Sequence, residues 1–590
     1  MTGVAERPIN VKVPCNVPVY IASLLAAQAG MLAWSATRHS PSVDEVAHMA
    51  AGISRWHLGR FDIYRVNPPL ASTVAALPVV LARPRVNWEG LGMEVRPEWR
   101  IGMHFVHANG LKTFWYFSLA RWGCIPLILL GGYFCYRWGA ELWGPASGLV
   151  ALALWVFSPT VLGNAAMITA DATGAAMGVL AHYLLWCWLR APSWRGAFLA
   201  GLALGLVELS KTTWIILFAL WPLLWAVCRF PEWRTLAAGG ERRQAGQLLL
   251  ILLIGLYVLN AGYGFTGTFR RLDRFAFHCR ALAGPMSPGQ YTGNRFAGTW
   301  AGAVWVPLPA DYVLGIDLQK WDYERKMWSF LRGEYRVGGW WYYYLYAFVV
   351  KEPLGTLCLA LLAAGLACGL RGEYVAGWRD ELAVILPAVA VFALVSSQTG
   401  FNRYYRYVLP ALPLFYIATS RVGRALTSRR WPIAYAAGLA LAWSVGSSLM
   451  VFPHSMSYFN ELAGGPEGGH YHLIDANIEW GQDLLYLKRW AEDHPQARPL
   501  FVDVNGPLEP EHLAMPARVP SGQRVAGWYA IGVHKLHDIE GGYRDLLDRR
   551  PDAMIGYSIY IYHLSAEDLA RTKPSPRMST SSGTGKRIAP

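Results

Sequence analysis

Apolar runs of about 17–25 residues, the length that crosses a hydrocarbon core, recur along this chain from residue 17 to residue 452 and then stop. They fall near 17–37, 114–137, 145–162, 168–189, 196–209, 212–229, 246–264, 345–370, 382–398, 404–420 and 432–452. This pattern predicts about eleven transmembrane helices. Two long loops interrupt it, 38–113 and 265–344. In the first loop, 44–58 has helical spacing and 68–81 is apolar but short, so both read as helices along the membrane surface. Beyond residue 452 the pattern changes. Residues 484–491 predict a helix, whereas 499–504, 524–531 and 553–562 are rich in Val, Ile and Tyr and predict strands. The expected architecture is a polytopic α-helical membrane domain over 1–452 and a small α/β domain over 453–563. A disordered tail over 564–590 follows, where Ser, Thr, Pro and Gly take over.

Composition agrees: 54% of the 590 residues are hydrophobic and 16% charged, outside the range of an ordinary soluble domain. The net charge of +14 belongs to loop Lys and Arg rather than to a nucleic-acid face, for no nucleic-acid motif accompanies it. With the N-terminus inside, the cytoplasmic turns hold Arg190 and Arg195; Arg229, Arg234, Arg242 and Arg243; Arg371 and Arg379; and Arg421, Arg424, Arg429 and Arg430. The positive-inside rule then places both long loops and the C-terminal domain outside a cell membrane. Arg7 and Lys12 ahead of residue 17 are read as flanking a retained first helix. The eight cysteines form no CxxC pair and read as small core residues.

The candidate chemistry collects on the outer side. Ser42-Val43-Asp44-Glu45-Val46-Ala47-His48 follows the first apolar run, and an acidic pair there would cost about 2.5–3.5 kcal/mol per group at bilayer depth. On a helix His48 shares a face with Asp44 and with Glu45. A carboxylate here could take the proton of an attacking hydroxyl with His48 tuning it, or Glu45 and His48 could hold a divalent metal. The structural alternative is an acidic pair at a helix start. Asp171, in Thr169-Ala170-Asp171 between two spans, reads as a second acid or as a helix cap. Lys211, Lys351, Arg403 and Arg406 stand at outer helix ends, where the charge rule does not place them. They suit a phosphate held at the membrane boundary, or pairing with Glu208, Glu352 or Asp171. Trp300, Trp305, Trp321, Trp328, Trp340 and Trp341 in the second loop fit an interfacial belt or a stacking surface for a sugar or lipid.

No nucleotide-binding loop, dinucleotide fingerprint, HExxH or GxSxG pattern occurs in a fitting context. The energy for a reaction must then come from the substrate, and a polyprenyl-phosphate sugar meets that need without a nucleotide. A transporter or lipid flippase is the rival class; it would place ionisable residues deep in several spans rather than at one face.

In these residues the chain resembles the C-type membrane glycosyltransferases, the family 39-like group that includes protein O-mannosyltransferases and the lipid A aminoarabinose transferase. The resemblance covers roughly residues 17–452 and rests on Asp44-Glu45, Gly52, Asn67-Pro68-Pro69-Leu70, Thr169-Ala170-Asp171, Gly205-Leu206 through Lys211, and Arg406-Tyr407 with Leu409-Pro410. It implies a GT-C-like fold and inverting transfer from a polyprenyl-phosphate sugar to a glycan, lipid or protein hydroxyl. Asp44 would be the base, with Glu45 in support, and the basic residues would hold the donor phosphate. The segments Pro453 onward and Asp475-Ala476-Asn477-Ile478-Glu479-Trp480-Gly481-Gln482-Asp483 are similar to those of uncharacterised bacterial relatives. Asn67, Asp475, Asn477 and Trp480 are the candidate acceptor contacts. Asp475, Asn477, Glu479 and Asp483 could bind a sugar or metal, or could form loop turns and a helix cap.

Overall fold

A computed structural model describes residues 16–571 except 90, 93, 230–239, 288, 428–430, 521–523 and 539–541. Cys15, Arg7, Lys12, Arg234, Arg429, Arg430 and the tail beyond 571 lie outside the described residues. Seven described helices are long and apolar enough to span: Val17–Ala36, Lys112–Trp143, Ala170–Arg190, Thr212–Arg229, Glu241–Gly262, Trp378–Ser397 and Trp431–Val451. Two bent pairs raise this to nine, Pro145–Val156 with Pro159–Ala165 at 53° and Tyr343–Lys351 with Leu354–Gly369 at 109°. Each break falls at a proline, which supplies no N–H and holds its predecessor extended: Ser158 at ψ 121° and Glu352 at ψ 140°. The carbonyls that the second break leaves without a helical partner accept from Asn460, whose Nδ2 lies 2.9 Å from Glu352 O and whose N lies 3.0 Å from Val350 O.

The two remaining expected spans differ. Trp194–Glu208 is a helix of 15 residues, about 22 Å long and short of a bilayer. Residues 404–420 start as a 3-10 turn, Tyr405–Ala411, with Pro410 inside it, and only Leu412–Thr419 is α-helical. Pro410 and Pro413 deny the continuous ladder that an apolar window presumes.

Both first-loop helices form. Val43–Leu58 opens on a capping box between Ser42 and Glu45 and ends on Gly59 at φ +63°. It lies tightly on Leu70–Leu81, for a Cβ on Gly52 would come within 2.2 Å of Ser72 O. Every residue from Glu45 to Ser54 is buried, so this helix is enclosed by protein along most of its length. Large indoles fill the bundle core, and some of their N–H groups are met: Trp188 donates to Gln247 at 3.0 Å and Trp214 to Gly174 O at 3.0 Å, whereas those of Trp138, Trp143 and Trp221 have no hydrogen-bond partner. In the second loop Trp300, Trp305, Trp328 and Trp341 are exposed, whereas Trp340 is buried.

The C-terminal sheet has four strands in the order Leu500–Asp503, Gly527–Gly532, Ile559–Leu564, Ala553–Ile555, the first pair parallel and the rest antiparallel. The single strand expected over 553–562 is thus a hairpin, turned by Gly556 and Tyr557, both at φ +60°. Ala566–Arg571 adds a short helix inside the segment expected to be disordered. Residues 453–483 contain no strand and thread back over the membrane part: Ser40 N donates to Gln482 O at 2.9 Å and Val43 N to Trp480 O at 3.1 Å. One apolar core accordingly joins Val46, Phe105 and Phe117 to Leu487, Val502 and Ile561.

Candidate active site

Four charged side chains from four separated segments meet at one end of the bundle. Asp44 stands in the first turn of Val43–Leu58, and Asp171 in the first turn of Ala170–Arg190, whose cap Thr169 accepts from Ala172 N. Lys211 precedes the 3-10 turn Thr212–Ile216, and Arg406 lies in Tyr405–Ala411. Arg406 Nη2 donates to Asp44 Oδ2 at 2.9 Å and Nη1 to Asp171 Oδ2 at 3.3 Å. Lys211 pairs with the other Asp171 oxygen, Oδ1. Charges therefore alternate along Asp44–Arg406–Asp171–Lys211, so that no buried charge stands alone. Gly174 makes room for the lysine, since a Cβ there would lie 3.0 Å from Lys211 Cβ.

The chain is enclosed at one end and open at the other. Arg406, Asp171 and Lys211 side chains are under a tenth exposed, whereas Asp44 is 20% exposed. Aromatic rings wall the cations: the Arg406 guanidinium is 3.9 Å from the Trp480 centroid and 4.7 Å from that of Tyr404, and Lys211 Nζ is 5.4 Å from that of Tyr407. Arg406 Nε is buried without a hydrogen-bond partner. A carboxylate at the open end, backed by two cations with a spare donor, can accept a proton from a hydroxyl while an anion is held beside it.

Glu45 has a different task from its neighbour. Its Oε1 accepts from Arg121 Nε at 2.8 Å and Ile168 N at 2.9 Å, and its Oε2 from Arg121 Nη2 at 2.6 Å and Ser42 N at 2.9 Å. Arg121 spends its remaining donors on Ala36 O, His39 O and Ser40 O, so all five of its N–H groups are used. Burial pushes the Glu45 carboxyl up, but Arg121 and the two backbone N–H groups outweigh it and hold it below the usual range. Four donors fill the two Glu45 oxygens, so the carboxylate expected to act as a base or metal ligand is here held within the fold. Arg121 escaped the sequence reading, although a lone arginine inside an apolar run was a usable signal.

His48 sits beside the charge chain, its ring 5.0 Å from that of Tyr64 and its Nδ1 without a hydrogen-bond partner. Burial pushes its imidazole down to about 4, against the pull of Asp44. It is neutral at pH 7 and so offers Asp44 no positive charge there. Because the folded-state value lies below the unfolded one, the stabilisation it carries is present above pH 6.5 and is lost as pH falls towards 4. Thermal unfolding in detergent should show wild type losing ground against His48→Gln across that interval.

Lys351 and Arg403 part from the phosphate-binding group expected of them. Lys351 Nζ donates to Met456 O and Asn477 O, both at 2.8 Å, and lies 4.4 Å from the Phe459 ring centroid. It ties the chain after the last span to the bent helix. Arg403 Nε donates to Trp328 O at 2.8 Å, and its Nη1 lies 3.7 Å from Asp475 Oδ2. Arg403 and Asp475 line a separate groove of about 310 Å³, with Trp328, Phe330, Tyr335 and Tyr343 among its walls. Asn477 is buried beneath it, accepting from Tyr405 N at 2.9 Å and donating to Arg403 O at 2.7 Å and Ile474 O at 2.8 Å. Its amide is therefore committed to the loop rather than to an acceptor. Glu479 is likewise held, accepting from Asn505 N at 2.8 Å and His534 N at 2.7 Å. Asn67 is half-buried in the turn before Leu70–Leu81. Of the expected acceptor contacts, only Trp480 touches the charge chain directly, through Arg406.

The opposite end of the bundle is distinct. Trp186 Nε1 donates to Asp380 Oδ1 at 2.6 Å, and Arg421 pairs with Glu381 at 2.7 Å, so the Arg190, Trp378 and Arg421 ends lie together, away from the Asp44 end.

No family model and no curated protein matches this chain. Solved structures similar to it include two of one protein. The crystal structure of ArnT from Cupriavidus metallidurans bound to undecaprenyl phosphate shares 14% identity, with TM-score 0.41, over 93% of this chain and 98% of that one. ArnT from Cupriavidus metallidurans in the apo state shares 14% identity, with TM-score 0.43, over 92% and 97%.

Proposed function

We propose that this chain is a membrane glycosyltransferase that moves a sugar from a polyprenyl-phosphate donor to an acceptor hydroxyl on the outer face of a cell membrane, with inversion. The observation that carries the reading is the Asp44–Arg406–Asp171–Lys211 chain at one end of the spans. Asp44, at its open end, takes the proton of the acceptor hydroxyl as the oxygen attacks the anomeric carbon. The bond from that carbon to the phosphate oxygen breaks, and the electron pair leaves with the polyprenyl phosphate. Arg406, with its spare Nε–H, and Lys211 stabilise the departing charge. The aromatic groove holding Arg403 and Asp475, with flat rings and a few polar groups, suits a saccharide and would take a part of the acceptor remote from the hydroxyl that meets Asp44. No nucleotide enters the scheme.

Proteoliposomes holding the purified protein and a radiolabelled polyprenyl-phosphate sugar provide the test, with envelope lipids and glycans as acceptors. Free polyprenyl phosphate should appear in step with label on the acceptor. Passage of intact donor across the bilayer without cleavage would replace this reading by that of a flippase.

A further inference from the structure

We propose that His39, His454 and Asp483 form a binding site for a divalent metal of the zinc class, which clips the end of the first membrane helix to the chain leaving the last one and to the C-terminal domain. His39 follows Val17–Ala36, His454 follows Trp431–Val451, and Asp483 precedes the helix Leu484–Asp493. Their ligand atoms all lie within 4.8 Å of one another. Asp483 Oδ1 is 3.1 Å from His454 Nδ1 and 3.5 Å from His39 Nδ1. Bonds of roughly 2.1 Å at tetrahedral angles would set ligand atoms about 3.4 Å apart.

The surroundings orient each ligand. The second Asp483 oxygen, Oδ2, accepts from Ser558 Oγ at 2.6 Å and Gln482 Nε2 at 2.8 Å, which leaves Oδ1 for the two imidazoles. His39 Nε2 lies 3.2 Å from Pro453 O, and a carbonyl only accepts, so the ring proton belongs on Nε2. His39 Nδ1 is then left with its lone pair facing a carboxylate oxygen, buried and without a hydrogen-bond partner. Two acceptors facing each other inside protein call for a cation between them, either a metal ion or a second proton on His39. Two imidazole nitrogens and one carboxylate oxygen suit zinc and its transition-row neighbours, whereas calcium and magnesium favour all-oxygen sets. The Tyr486 ring lies 5.5 Å from that of His39 and 4.6 Å from that of His454, walling the group, and His454 at 18% exposure is its accessible side.

Such an ion acts on position rather than on chemistry. The segment from His39 leads to Asp44 and is bonded to residues 480–482, where Trp480 lies under Arg406. Metal analysis of tag-free protein in detergent should find about one zinc per chain. Chelation should lower the unfolding midpoint, and added Zn²⁺ should restore it. Co²⁺ added to the stripped protein should give the visible absorption of a tetrahedral site. His454→Ala, the change at the most exposed ligand, and Asp483→Asn should each lose the ion and the Co²⁺ spectrum. A stripped wild type that neither shifts with Zn²⁺ nor colours with Co²⁺ would overturn the proposal and leave a His39 imidazolium paired with Asp483. None of these readouts involves sugar transfer, so their failure leaves the proposed function standing.

Discussion

Asp44→Asn should lower the transfer rate by about 10²–10⁴-fold, the usual contribution of a general base, while the protein keeps its fold. The amide oxygen of Asn can still accept from Arg406 Nη2, now 2.9 Å from Asp44 Oδ2. Arg406 also keeps Asp171 as a counter-ion at 3.3 Å, so no buried cation is stranded. What disappears is the lone pair that takes the acceptor proton. The initial rate of polyprenyl phosphate release, read beside the thermal unfolding midpoint, checks this. A variant within a few-fold of wild type in rate would remove Asp44 from the chemistry. Asp171→Asn should behave differently. Asp171 touches both Arg406 and Lys211, so its loss should weaken donor binding more than it slows turnover.

The largest effect on stability is expected at Arg121. Replacing it by Ala leaves the fully buried Glu45 without its counter-ion and frees Ala36, His39 and Ser40 carbonyls that Arg121 now caps. Breaking one side of a buried pair costs about 3–5 kcal/mol. Arg121→Met combined with Glu45→Leu should cost less than the sum of the single changes, because no charge is then left unpaired. Unfolding in detergent measures both. Glu45→Gln separates structure from catalysis: it should lower the midpoint yet keep the wild-type turnover at temperatures where it is folded. A Glu45→Gln protein that is as stable as wild type but inactive would return Glu45 to the reaction.

The charge chain was partly legible beforehand, since Asp44, Asp171, Lys211 and Arg406 each stood where a span meets a loop. Their residue types and positions marked them as costly at bilayer depth. Glu45, Lys351 and Arg403 stood in equally marked places and took other work. Adjacent residues on a helix point about 100° apart, which sends Asp44 towards Arg406 and Glu45 towards Arg121. Lys351 met the carbonyls of Met456 and Asn477, more than a hundred residues away. No local pattern announces such partners.

By itself the sequence determined the recurrent spans, the helix over 44–58, the C-terminal strands and the gathering of charge at span ends. Each depends on local periodicity or on the cost of placing charge in hydrocarbon. The tertiary structure decided which windows were continuous helices, since prolines at 159, 353 and 410 interrupt runs that hydropathy averages over. It decided too that residues 480–482 bond back to Ser40 and Val43 beside the site. Above all it decided which charge meets which partner, because the strength of an ion pair depends on distance and burial, and both are set by segments remote along the chain.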